Sequence, residues 1–208
     1  RAIQCAITAP NHHRTEPTTY HRISITSNHT DARAKLLDIC YNVVLLKHLK
    51  NKNKTEEEAK TIAENKRNKW RDTILGYIVV CARDQPVQDD DDNSESRNGC
   101  GDDDDDDDDD EFLYGTMPVR PPETEKQLED YASSCASIQN ILLSLHSEGW
   151  GTKWATGSMI RCRAVRSLVG CKNDDLIVGL VMVGIPRTIP SKDWKRRREF
   201  VGDVLRDL

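Results

Sequence analysis

The sequence predicts a mixed α/β domain, and three observations carry that expectation. Thr73–Ala82 (TILGYIVVCA) and Leu176–Ile185 (LIVGLVMVGI) are continuous apolar, β-branched runs with the length of buried strands. Around them lie segments whose apolar residues recur every three or four positions, the spacing of helices. A chain of 208 residues that mixes both kinds of element suits one domain, residues 1–208, with helices around a few separated strands.

In chain order, Ala2–Thr8 reads as the end of a helix, stopped by Ala9-Pro10-Asn11. Tyr20–Ser27 alternates, with Ile23 and Ile25 on one face, and reads as a strand. Asp31 is placed to cap a helix running to about Lys50. Its apolar face holds Leu36, Leu37, Ile39, Cys40, Val43, Val44 and Leu46. Asn51–Lys54 is a polar break. Thr55 followed by Glu58 is a capping-box pattern that starts a mostly polar helix to about Trp70.

Residues 83–111 interrupt this order. Asp89–Asp92 and Asp102–Asp110 hold thirteen aspartates in a stretch with almost no apolar residues. Like charges repel, and nothing there offsets the entropy of ordering, so the segment is expected to be a disordered acidic insertion. Its plain interpretation is a solvated loop, with a cation- or partner-binding role as the alternative. Calcium loops need spaced ligands and a turn glycine, which a uniform aspartate run lacks.

After the insertion, Pro121-Pro122 leads into a long helix from about Glu123 to Ser147. Tyr131, Cys135, Ile138, Leu142 and Leu145 form one stripe, widened by Ala132, Ala136, Ile141 and Leu143. A helix apolar nearly all round belongs in a core or a subunit interface. Gly149 ends it. A loop over Gly149–Ser158, a short helix over Met159–Val169 and the strand Leu176–Ile185 follow, and Ser191–Leu208 reads as a basic helix.

Charge and cysteine usage narrow the setting. Without the thirteen aspartates of the two runs, the formal charge of −5 becomes +8. A mildly basic body suits an anionic ligand, either a nucleotide phosphate or a nucleic acid. The seven cysteines are odd in number and include no C-x-x-C pair, which argues against a disulfide framework or zinc site and for a reducing intracellular compartment. No apolar run reaches membrane-span length. The chain opens on Arg1 inside helix-like sequence, so the domain is expected to be N-terminally truncated.

Three segments could carry chemistry. Ala9–Pro17 (APNHHRTEP) gathers donors and cations between prolines. It could hold an anion or be a plain polar turn, and adjacent histidines make a poor metal site. Gly149–Gly157 (GWGTKWATG) joins glycines that admit close backbone approach, tryptophans with stacking surface, and N–H groups leading into the next helix. It could equally be a glycine-rich structural loop. It is neither a P-loop nor a dinucleotide fingerprint. Lys195–Arg198 could clamp a phosphate, contact nucleic acid, or form a solvated helix face. No nucleophile constellation of the G-x-S-x-G or H-E-x-x-H kind is present.

Taken in order, these segments resemble the nitroreductase family, especially its small members. The matching residues are Ala9-Pro10-Asn11-His12, Glu16-Pro17 before Tyr20, Gln139-Asn140, Gly149-Trp150-Gly151, Trp154, Thr156-Gly157, Gly170-Cys171 and Gly184-Ile185-Pro186. The resemblance implies a central, mostly antiparallel sheet flanked by helices, in an intertwined homodimer with FMN at the interface. His12, and Thr8 beside it, would contact the flavin. Trp154, Ala155, Thr156 and Gly157 would pack on its ring and offer backbone N–H groups. Arg197 (or Arg198) would meet its phosphate. The implied activity is ping-pong transfer of electrons from NAD(P)H to a nitroaromatic, quinone or similar acceptor. The cofactor does the chemistry, so no acid–base side chain is assigned.

Two departures from the family pattern support an alternative, a non-catalytic or weakly flavin-binding relic acting as a binding module. Position 16 is Glu where glutamine is usual, and position 18 is Thr where tryptophan is usual. The family pattern also opens with an arginine-rich helix, and this sequence is expected to start after that point. A nucleic-acid binder using Lys47–Lys54 and Lys195–Arg198 is a third reading, disfavoured because the aspartate runs would compete for those cations.

Overall fold

Four strands form a single sheet in the order β1-β2-β4-β3, every neighbouring pair antiparallel. They are β1 (Thr18–Ser24), β2 (Gly76–Ala82), β3 (Gly151–Ala155) and β4 (Leu176–Gly184). The computed structural model of the chain describes residues 1–11, 16–26, 29–50, 54–83, 110–119, 121–172 and 175–186. The helices are α1 (Ala2–Ala6), α2 (Thr30–Leu49), α3 (Glu56–Thr73), α4 (Asp110–Tyr114), α5 (Glu125–Ser147) and α6 (Arg163–Val169), with a 3-10 turn over Ser158–Arg161.

The period-2 alternation of β2 builds two cores, one on each face of the sheet. Tyr77, Val79 and Cys81 pack with Leu36, Leu37, Ile39, Cys40 and Val43 of α2, Trp70 of α3 and Val165 of α6. Ile78, Val80 and Ala82 pack with Ala6 of α1 and Ile138 and Ile141 of α5. The central strands β2 and β4 are covered on both faces, which is why their sequences read as unbroken apolar runs.

Helix boundaries follow local chemistry. The Thr55 side chain accepts from Glu58 N at 3.2 Å and the Glu58 carboxylate accepts from Thr55 N at 2.9 Å, the reciprocal capping box the sequence predicts. At the other end of α3, Arg33 of α2 donates to the carbonyls of Arg71 and Ile74 at 2.7 and 3.2 Å, satisfying acceptors the helix leaves free. Asp31 lies in the first turn of α2, and His29 holds the cap position. Its carboxylate still complements the helix dipole there.

Several expectations need correction. Of Gly149–Ser158, expected to be a loop, Gly151–Ala155 is an edge strand paired with β4. The expected helix over Met159–Val169 breaks at Cys162, whose extended backbone separates the 3-10 turn from α6. Asp110 and Glu111, assigned to the disordered insertion, belong to α4, where Glu111 pairs with Lys50 at 2.7 Å. Ile25 lies beyond β1 and is exposed.

The long helix α5 also differs from expectation. Its buried face includes Ser133, Ser134, Ser137 and Ser144 beside Ile138 and Ile141, while Leu128 and Leu143 point outward. Small serines let the helix lie close to the sheet, and two of them place their hydroxyls in hydrogen bonds, one within the helix and one to the sheet. Ser137 donates to Ser134 O at 2.8 Å, and Ser134 Oγ meets Thr18 Oγ1 of β1 at 2.8 Å. Residues 84–109 and 187–208, including the aspartate runs apart from Asp110 and the basic tail, lie outside the described residues.

Candidate functional site

The clearest candidate is the short exposed segment Thr156–Gly157. On one side, Ala155 is held in the β3–β4 ladder opposite Leu180, and Trp154 stands opposite Val181. On the other side, Met159 and Ile160 are buried in the core, and Ile160 N donates to Gly157 O at 3.3 Å. Two exposed residues are thus pinned at both ends by packed structure, a loop of fixed position rather than a free one. A Cβ built on Gly157 would meet nothing within 4 Å, so open space faces its backbone.

Trp154 braces this segment from below. Its ring packs with the α1–α5 core and lies across Gly179 of β4. The close approach needs glycine there, because a Cβ on residue 179 would fall 2.6 Å from Trp154 Cδ1. The indole Nε1 is a buried donor with no acceptor among the described residues. Arg161, four residues past Gly157, likewise buries an unpartnered Nε. Sequence reasoning did not single out Arg161, and its isolation from any motif explains why.

Thr8 lies elsewhere in the chain, in an open groove of about 360 Å³ between α1 and α5, lined by Arg1, Cys5, Thr8, Asn140, Leu143, Ser144 and Ser147. The Cys5 carbonyl ties the groove together, accepting from the Thr8 hydroxyl at 2.7 Å and from Asn140 Nδ2 at 3.1 Å. Ser144 contributes a buried hydroxyl with no hydrogen-bond partner among the described residues. None of Trp154, Ala155, Thr156 or Gly157 lines this groove, so Thr8 and the loop do not share it. His12 and Arg197 lie outside the described residues.

At the end of the first turn, Glu16 adopts φ 44, uncommon for a residue with a side chain, and leads into the fully buried Pro17. Thr18 then enters β1 with its hydroxyl engaged by Ser134. Among the described residues no group of three or more His, Cys, Asp or Glu could hold a metal ion. No helix among them is long and apolar enough to cross a membrane.

The donors at the exposed segment are neutral backbone N–H groups beside open space, at the rim of a rigid sheet. Such groups can donate to an acceptor that approaches through the open space beside Gly157. An antiparallel sheet between two helical layers, with such a segment at one strand end, defines an α+β domain.

The chain belongs to the nitroreductase family, whose model matches residues 1–185. The fold is similar to that of a nitroreductase-like protein from Bacillus cereus, at 20% identity, TM-score 0.64, and coverage of 100% of this chain and 81% of that one. It is also similar to an NADPH:FMN oxidoreductase from Vibrio harveyi solved with NAD+, at 16% identity and TM-score 0.56, covering 99% of this chain and 65% of that one. A third similar structure is a variant of the FMN and NADPH-dependent nitroreductase NfnB from sphigopyxis sp. strain HMH. Identity there is 11% and the TM-score 0.59, with 99% of this chain and 86% of that one covered. No curated protein sequence matches the chain.

Proposed function

We propose that this protein is an FMN-dependent oxidoreductase that passes electrons from NAD(P)H to a nitroaromatic, quinone or similar small acceptor. The observation that carries this reading is the nitroreductase family match across residues 1–185. The FMN- and NADPH-using proteins of similar fold support the choice of cofactor and donor.

Bound FMN would supply the redox chemistry that links NAD(P)H to the acceptor. The chain's own part is to bind and orient. Thr156 and Gly157 offer backbone N–H groups to the ring edge, where preorganised donors stabilise negative charge as it develops. Ala155 and Trp154 fix that backbone through the ladder and the packing on Gly179. By the family resemblance, His12 and Thr8 would contact the flavin from the first turn, and Arg197 would meet the phosphate. The electron acceptor and the nicotinamide use the same open face in turn, which makes the kinetics ping-pong.

The separation of Thr8 from the loop supports a site completed by a second copy, with Thr8 of one protomer and the loop of the other on one flavin. The outward Leu143 beside the α1–α5 groove gives the homodimer an apolar contact.

Thr18 favours one other reading. Its hydroxyl is taken up by Ser134, so that position is committed to packing, as in a relic that keeps the fold and binds flavin weakly. Titrating the full-length protein into FMN while following flavin fluorescence separates the two. Saturable quenching with a raised Tm is expected. Unchanged fluorescence and Tm at high micromolar protein would leave the relic reading in place.

A further inference from the structure

Cys81 and Cys171 are 90 positions apart in sequence, yet their sulfurs lie 3.2 Å apart in a shared hydrogen bond. Two local features create this approach. The β2–β4 register shifts between Val80 and Cys81, so Cys81 stands opposite Ile177 with its side chain on the α2–α6 face. At the end of α6, Gly170 adopts φ +66 and turns the chain back to the sheet, with Cys171 N donating to Arg166 O at 3.0 Å.

The two thiols have unequal settings. Cys81 is fully buried, while Cys171 is partly open to solvent. The Arg166 guanidinium is held over the turn by donating to Asp175 O at 2.9 Å and to Lys172 O. The hydrogen bond shared with Cys81 and then the Arg166 charge pull the Cys171 thiol below its usual range, against burial and the nearby Asp175 carboxylate. The same bond and burial push Cys81 up. Cys40, Cys135 and Cys162 are all pushed up by burial. The accessible sulfur is therefore the readier nucleophile, with a protonated partner directly behind it.

We propose that Cys171 and Cys81 form a redox modification site, in which a hydroperoxide oxidises Cys171 and Cys81 resolves it to a reversible disulfide. The Cys171 thiolate attacks the peroxide: an S–O bond forms, the O–O bond breaks, and the alkoxide leaves and takes up a proton. Cys81 sulfur then attacks the sulfenic sulfur. An S–S bond forms, the S–O bond breaks, and the departing hydroxide takes the Cys81 proton as water. Two thiols lose two electrons and the peroxide is reduced to an alcohol and water. The sulfurs must close by about 1 Å to reach bonding distance. Cys171 lies past Gly170, the C-cap of α6, so this shift involves no helical residue. The bond would fasten the end of α6 to β2.

The test needs no flavin, so its outcome is independent of the proposed activity. Reduced full-length protein is treated with hydrogen peroxide, alkylated in denaturant and mapped by mass spectrometry without reductant. A Cys81–Cys171 cross-linked peptide, two hydrogens lighter than its parts and released by dithiothreitol, is expected. In Cys81→Ala the resolving thiol is lost, and Cys171 should be trapped by dimedone as a sulfenic acid. A wild-type map in which both residues stay reduced, Cys171 passes to sulfinic acid, or either pairs with another cysteine overturns the proposal. The wild-type map decides even if the variant fails to fold.

Discussion

The indole of Trp154 occupies the space that a side chain at residue 179 would need. A Cβ placed on Gly179 would lie 2.6 Å from Trp154 Cδ1 and 3.2 Å from Ile138 Cδ1. The edge strand β3, the central strand β4 and the long helix α5 therefore meet at one point, two residues before the segment proposed to face the flavin.

Gly179→Ala should force that ring outward, destabilising the protein by about 1–3 kcal/mol as overpacked cores do. Trp154→Ala in the same background removes the ring that clashes, so the double variant should lose less than the sum of the two single losses. Urea unfolding of the two single variants and the double variant measures the coupling. Strictly additive losses would show that the two residues do not compete for space.

Thr55→Ala should cost about 1 kcal/mol by removing the capping-box acceptor at the start of α3. Thr55→Ser keeps the oxygen and should stay close to wild type. The urea midpoint reports both, and equal losses would deny the hydroxyl its capping role.

Alkaline pH should destabilise the fold steeply. Burial pushes the Cys40 thiol from 9.0 up to about 12 and raises Tyr77 as well. Below pH 9 both folded and unfolded Cys40 keep the proton, and the contribution is constant. Between pH 9 and about 12 the unfolded thiol ionises and the folded one does not, so stability falls by at most about 4 kcal/mol from this group. Cys40→Ala should flatten the decline of Tm over that window, although its absolute Tm is lower.

How much of this was legible in the sequence depended on the kind of force involved. Burial on both faces writes itself as an unbroken apolar run, so β2 and β4 were readable directly. The capping box at Thr55 and Glu58 is local chemistry and was readable too. β3 was not, because GTKWA has glycine and lysine where a strand usually has β-branched residues, and only pairing with β4 makes it one. The serine face of α5 was misjudged because close packing on a sheet rewards small side chains, a tertiary demand invisible to hydrophobic periodicity. At the candidate site, the order of motifs pointed to Thr156–Gly157. The tie of Thr8 and Asn140 to the Cys5 carbonyl, and the pairing of Cys81 with Cys171, join residues far apart in sequence and left no local pattern.

Leu143→Glu should convert the proposed dimer to monomer. Leu143 is 58% exposed at the α1–α5 groove, and a carboxylate there would be buried without a partner in an apolar contact. Light scattering behind size-exclusion chromatography reads the mass, and FMN binding should weaken in parallel. A wild-type monomer that binds FMN would remove the second copy from the site.

The most direct test of the central claim is anaerobic spectroscopy of the full-length protein reconstituted with FMN. Bound flavin absorbance should bleach on adding NADPH or NADH and return, after the donor is consumed, on adding a nitroaromatic or quinone. A protein that stays colourless after reconstitution, or whose bound flavin neither donor reduces, would contradict the account.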